Sequence, residues 1–198
     1  MLDYMVLYQS ETGNTKKLAT SIFAALPGMA KDLRSIDELS SLPEASTYFI
    51  GFCVHRGTCS LEIGNLLSTI SGRNVALFGT CGAGNTDNYY KNIENSARIW
   101  LEDDNAYLGG FFCQGKMPLQ IRQKYESMLN GDEEHDRHLK LQLLNFDEAM
   151  IHPTKEDLEH ATTFAKTASA VCKMAEAFFL TKSSNLSGSA SVFLHRFL

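Results

Sequence analysis

The sequence predicts a doubly wound α/β fold, a parallel sheet with helices covering both faces. Short, nearly continuous apolar runs recur between residues 2 and 113, and stretches of helical periodicity separate them. Strands that are apolar throughout, rather than alternating with polar residues, belong to a sheet buried on both sides. A length of 198 residues suits one such domain, which can bury a sizeable core without staples.

The elements follow in order. Residues 2–8 are apolar and β-rich, a polar and Gly-containing loop comes next, and Leu18, Ile22, Phe23 and Leu26 then recur near the helical period. A weaker strand at 29–33 follows Pro27-Gly28. Residues 47–54 read as strand, 61–70 as helix, 74–80 as strand, 89–101 as helix and 107–113 as the fifth strand. Residues 119–129 look helical, and the charged stretch 131–138 reads as a solvated loop. Thr154 opens a closing helix expected to reach about Phe179, because Thr154 to Asp157 has the form of a capping box and Pro153 stops what precedes it. Residues 181–198 lack Asp and Glu, begin Ser-rich and end apolar at 192–198, which predicts a flexible linker and a short apolar end. The domain is therefore expected over residues 1–180, with a charged insertion at about 130–152 and a tail at 181–198.

Composition narrows the function. The chain is 44% hydrophobic and 21% charged with a formal net charge of -5, and this acidic balance argues against nonspecific binding to nucleic acid or anionic membrane. No apolar run approaches the ~20 residues that span a bilayer, and Asp3 replaces the basic start of a signal peptide, so a cytoplasmic location is expected. The five cysteines are odd in number and lack CxxC or zinc-like spacing, which predicts free thiols.

In a doubly wound sheet the ligand site lies beyond the carboxyl ends of the strands, where strand order reverses. The first loop there is Ser10-Glu11-Thr12-Gly13-Asn14-Thr15. Hydroxyls, a Gly and an Asn at a helix amino terminus form an anion site, since the first N–H groups lack intrahelical partners and the helix dipole favours negative charge. No Gly-Lys-Ser/Thr follows, so this is not an ATP-binding Walker loop. Gly82-Ala83-Gly84 begins like a dinucleotide motif, but Asp87 stands where its third glycine would be.

With its first strand followed by Ser10 to Thr15, the chain resembles the flavodoxin family, whose Ser/Thr-x-Thr-Gly-x-Thr loop holds the phosphate of FMN. The resemblance covers roughly residues 2–176, outside the charged insertion, and implies five strands in the order 2-1-3-4-5. It also implies walls for the flavin ring. One is Cys53, Val54, His55, Arg56, Gly57 and Thr58, where a peptide beside Gly57 could reorient to offer its carbonyl to flavin N5. The other is Thr80, Cys81, Gly82 and Ala83 with Tyr89 or Tyr90 as ring contacts, and Gln114, Gly115 and Lys116 would hydrogen-bond the ring edge. The only Trp, Trp100, falls in a helix and reads as packing, which leaves Cys53 or His55 at the wall. Arg56 near the ring would attract an anionic hydroquinone and raise the potential.

Other candidates carry less. Arg137 interrupts the cluster around His135 and His138, and no companion ligand motif accompanies it, so it reads as solvated charge rather than metal site. His152 reads as a loop residue, and Ser60 and Ser68 form no Gly-x-Ser-x-Gly elbow. The reading is an FMN-binding carrier that passes electrons between its flavin and a redox partner protein, with surface acids steering a basic partner. An FMN-dependent NAD(P)H reductase of quinones or similar acceptors is the first alternative, and a noncatalytic flavin-sensing module the second.

Overall fold

The computed structural model describes the backbone of residues 1–193 and the side chains of residues 1–174. Strand and helix alternate as β1 (Leu2–Tyr8), α1 (Asn14–Ala25), β2 (Lys31–Ser35), a 3₁₀ turn (Ile36–Glu38), β3 (Ala45–Cys53), α2 (Leu61–Ser68), β4 (Asn74–Cys81), α3 (Asp87–Arg98) and β5 (Ala106–Gln114). Three helices follow, α4 (Leu119–Met128), α5 (Glu133–Ala149) and α6 (Lys155–Phe193). Every strand pairs in parallel with its neighbours in the order β2-β1-β3-β4-β5, the order that the family resemblance implies.

The apolar strands are explained by two cores. Successive side chains of a strand point to opposite faces. Met5 and Leu7 of β1 join Ile50, Phe52 and Leu77 under Ile63 and Leu67 of α2 and Ile93 of α3. Tyr4, Val6 and Tyr8 join Phe49 and Phe78 under Leu18 and Ile22 of α1 and Ala161, Ala165 and Ala168 of α6. The small residues of α6 recur near the helical period, and that face packs on α1. Its start carries the expected capping box: Thr154 N–H donates to Asp157 Oδ2 at 2.6 Å, and Asp157 N–H donates to Thr154 Oγ1 at 3.2 Å.

Three expectations are corrected. The stretch 131–138 is not a loop but the start of α5: Asp132 caps the helix by accepting from His135 N–H at 2.9 Å, and Glu133, Glu134 and Asp136 occupy its first turn. Acids there face the positive end of the helix dipole, so their density favours helix rather than breaking it. Beyond them Leu139, Phe146 and Ala149 form a buried face. The weak second strand begins at Lys31 rather than Met29, because Gly28 turns with φ 80° and leaves Met29 exposed. Finally, α6 does not stop near Phe179 but continues to Phe193 through the segment expected as a linker. No proline interrupts it, and serine opposes a helix by only a few tenths of a kcal/mol, about half the cost of glycine. Residues 194–198, most of the apolar end expected at 192–198, lie outside the described residues. Among the described residues no helix is long and apolar enough to cross a membrane.

Candidate functional site

Strand order reverses between β1 and β3, and a cleft of about 330 Å³ opens there, beyond the carboxyl ends of the strands. Its volume falls within the range of small-molecule sites. A smaller hollow of about 160 Å³ lies beside Asp3, Gly28 and Cys172, at the opposite end of the sheet.

The first wall is the loop into α1. Gly13 is the N-cap, with φ 81° and no side chain to cap the helix, and the first turn contains no acid. That end of α1 is therefore open to an anion. Asn14 is buried and ties the loop together: its Nδ2 donates to Thr12 Oγ1 at 2.8 Å and to the Lys116 carbonyl at 3.1 Å. The close approach needs Gly115, since a Cβ there would stand 3.0 Å from Thr80 Cβ and 3.2 Å from Asn14 Cβ.

The second wall is a tight hairpin. His55 and Thr58 exchange backbone hydrogen bonds of 2.9 and 3.0 Å, and the two residues between them, Arg56 and Gly57, have φ of 51° and 83°. Positive φ at both central positions is the signature of a type I′ turn, which suits glycine and strains arginine. The turn presents His55 and Arg56 to solvent at the cleft mouth. His55 Nε2 meets Glu11 Oε1 at 2.7 Å and lies 3.8 Å from Cys53 Sγ. Burial, and then the charge of Glu11, pushes the Cys53 thiol above the usual range. On the floor, burial pushes the Cys81 thiol up to about 12, which leaves it protonated and unreactive near neutrality.

The third wall, the loop after β4, is held by a residue from α5. Asn145 Oδ1 accepts from Gly84 N–H and from Gln114 Nε2, both at 3.1 Å, and Asn145 Nδ2 donates to the Gly82 carbonyl at 2.8 Å. The backbone groups fix the orientation of the Asn145 amide, which in turn obliges Gln114 to present its nitrogen. Gln114 Oε1 is left buried with no partner among the described residues, a spare acceptor next to Gly115 of the cleft.

Comparison with known proteins agrees with this geometry. The profile of the Flavodoxin domain family matches residues 5–166. The chain belongs to the flavodoxin-like family. It is 34% identical over 166 residues to the flavodoxin-like domain-containing protein BilS of Clostridioides difficile strain CD3, covering 82% of this chain and 93% of that protein. Among solved structures it is similar to a flavodoxin from the domain Archaea, with a TM-score of 0.53 and 14% identity over 87% of this chain and 99% of the other. It is also similar to two-electron reduced Megasphaera elsdenii flavodoxin, with a TM-score of 0.50 and 15% identity over 84% of this chain and 98% of the other.

Within this flavodoxin-like cleft the structure assembles most of the residues singled out from the sequence. Glu11, Thr12 and Asn14 line it, as do Cys53, Val54, His55, Arg56 and Gly57, then Thr80, Cys81, Gly82, Ala83 and Tyr89, and finally Gly115 and Lys116. Others stand apart from the lining. Ser10 accepts from Lys16 N–H at 3.3 Å, and buried Thr15 bonds Thr80 between their hydroxyls at 2.9 Å. Gly13 and Thr58 act through the backbone, Gln114 lies behind Gly115, and Tyr90 lines a separate groove with Asp157 and His160. Trp100 packs over Gly64 of α2, where a Cβ would come within 2.7 Å of its ring. Among the described residues none of the five cysteines is joined in a disulfide. The sequence reading missed Met117, Pro118 and Ile121, which line the cleft, and Asn145, which holds its third wall. Met117 had a signal in the motif, since it follows Gln114-Gly115-Lys116 directly, whereas nothing local marks an Asn thirty-one residues after Gln114.

Proposed function

We propose that this flavodoxin-like protein binds FMN in the cleft and passes electrons to or from a redox partner protein in the cytoplasm. The observation that carries the reading is the end of α1 at Gly13, an N-cap with no side chain of its own and with the Lys16 N–H met by Ser10 at 3.3 Å, opening at the strand-order reversal between two loop walls. Bound there, FMN supplies reversible one- and two-electron chemistry at its ring.

The chain's own residues bind and tune. The N–H groups at the start of α1 hold the phosphate, with the Thr12 hydroxyl beside them and Asn14 keeping the loop closed against Lys116. Tyr89, half-buried against Gly84, offers a ring face to the flavin, and burial pushes its hydroxyl pKa up, so it stays neutral. Gly57, with open space around its Cα, lets the adjoining peptide turn its carbonyl towards a proton on the ring. Arg56 places a cation at the mouth that favours an anionic reduced ring. The exposed carboxylates Asp87, Asp147 and Glu148 steer a basic partner. Five cysteines with no disulfide among the described residues suit a reducing compartment.

One observation favours a second reading, an FMN-dependent reductase of a small acceptor. Trp100 lies away from the cleft, so neither ring wall carries an indole, and the space above the ring is left to a substrate.

The test is a flavin assay on the purified full-length chain. Denaturation should release FMN, added FMN should bind at least tenfold more tightly than riboflavin, and anaerobic titration should proceed in one-electron steps without NAD(P)H turnover. Equal affinity for FMN and riboflavin overturns the phosphate assignment. Direct two-electron reduction with NAD(P)H oxidation selects the reductase, and failure to bind any flavin removes both readings.

A further inference from the structure

The cleft mouth also holds a cluster of three potential metal ligands. Glu11, Cys53 and His55 bring a carboxylate oxygen, a thiol sulfur and an imidazole nitrogen within 4.8 Å of one another. Both neighbours approach the same ring nitrogen: Glu11 Oε1 lies 2.7 Å and Cys53 Sγ 3.8 Å from His55 Nε2. A nucleophilic relay would need the thiol and the acid on opposite ring nitrogens, one to give up a proton and the other to orient the base. Three donors converging on one point have instead the arrangement of ligands around a cation.

We propose that Glu11, Cys53 and His55 form a binding site for a zinc-class divalent cation, with a fourth position open to water or an anion in the cleft. The donor set selects the ion. Sulfur and imidazole nitrogen are poor ligands for Mg²⁺ or Ca²⁺ and good ones for Zn²⁺ and its borderline neighbours. Tetrahedral zinc with these donors keeps its ligand atoms roughly 3.3–3.6 Å apart, as follows from Zn–S near 2.3 Å and Zn–N and Zn–O near 2.0 Å. The sulfur–nitrogen separation of 3.8 Å is close to that already. The nitrogen–oxygen separation of 2.7 Å must open. The Glu11 side chain, 59% exposed, and that of His55, 53% exposed, have room to do so.

The backbone fixes two of the ligands before any ion arrives. Cys53 ends β3 in register with Thr80 of β4, and the next residue, Val54, donates its N–H to the Thr80 carbonyl at 2.9 Å. His55 starts the hairpin turn, whose backbone bonds to Thr58 hold it in place. Glu11 comes from the loop across the cleft, so an ion at this point also ties the first wall to the second. Three protein ligands and one open position describe an exchangeable site rather than a closed structural one.

The test is calorimetric titration of ZnCl₂ into the full-length purified chain, with alkylation of the Cys53 thiol followed by peptide mass spectrometry. One ion per chain should bind, Zn²⁺ should slow alkylation of Cys53 at least tenfold, and a chelator should restore it. Cys53→Ser and His55→Ala should each weaken binding at least tenfold, while His138→Ala, on α5 outside the cluster, should leave it unchanged. Millimolar or absent binding overturns the proposal. So does tight binding that survives Cys53→Ser, or Zn²⁺ that binds without protecting Cys53 in the wild-type chain.

Discussion

Arg56 shows how one residue serves the site at a cost to the fold. Its φ of 51° puts a residue that carries a Cβ in the left-handed region, where a residue other than glycine or asparagine loses roughly 1 kcal/mol. Asparagine tolerates that conformation, so Arg56→Asn should stabilise the chain by about 0.5–1 kcal/mol, read as a higher denaturant midpoint with unchanged slope. The same substitution removes the cation at the cleft mouth. On the flavin reading it should make the potential of the bound flavin more negative, so the variant should be more stable and a weaker oxidant at once. A midpoint that falls would show that Arg56 makes contacts worth more than its backbone strain. The residues that carry this turn were legible in the sequence as His55-Arg56-Gly57-Thr58, but the strain was not, because it depends on Arg56 being first of the two central positions and only the backbone shows that.

At the scale of elements, α5 is where sequence reading and structure part. Strands β1, β3, β4 and β5 and helices α1, α2 and α3 were legible because each is an apolar run or a periodic stretch that its own residues determine, whereas β2, Lys-Asp-Leu-Arg-Ser, is polar and was placed two residues early. The start of α5 was read as a charged loop because six of the seven residues from Asp132 to His138 are acidic or His, and its buried face begins only at Asp136 and Leu139. Asp136 accepts N–H bonds from Asn130 at 3.1 Å and Gly131 at 2.9 Å, and His135 Nδ1 lies 3.3 Å from it. The Asn130 N–H is the chief cause that holds its carboxyl below the ordinary range. A depressed folded pKa gives stability that is present above the unfolded value of about 3.9 and lost as pH falls through it towards the folded value. Asp136→Asn should therefore lower the unfolding midpoint at pH 7, and its deficit should shrink below about pH 4, as denaturation at pH 7 and pH 3 would show. Further along the same helix, Asn145→Ala removes three hydrogen bonds and leaves Gly84 N–H, Gln114 Nε2 and the Gly82 carbonyl to find water. The expected cost is about 1–3 kcal/mol, and on the flavin reading affinity for FMN should fall roughly tenfold as the third wall loosens. Unchanged affinity in a fully folded variant would mean that the loop holds its shape without α5.

Across the whole molecule, stability and function fall on different parts. The floor of the cleft is the sheet, where Met5, Val6, Leu7, Phe49, Ile50, Ala76, Leu77 and Phe78 are fully buried between two helical layers. The roof is lighter. No residue of α4 is buried, and α4 and α5 pack chiefly on one another, with Phe146 at their centre and the Arg122 guanidinium 5.7 Å from its ring. Elements with few buried apolar contacts open at lower free energy than the core, so amides of α4 and α5 should exchange hydrogen through local opening, while those of β1, β3 and β4 wait for global unfolding. Phe146→Ala separates the two. It removes a fully buried ring from the helical hairpin of α4 and α5, at a cost of about 3–5 kcal/mol. If the hairpin opens on its own, that loss appears as faster exchange in α4, α5 and the loop that Asn145 holds, with protection in β1 and β3 little changed. If protection falls equally in the sheet, the hairpin and the doubly wound core unfold as one unit, and the third wall of the cleft is as rigid as its floor.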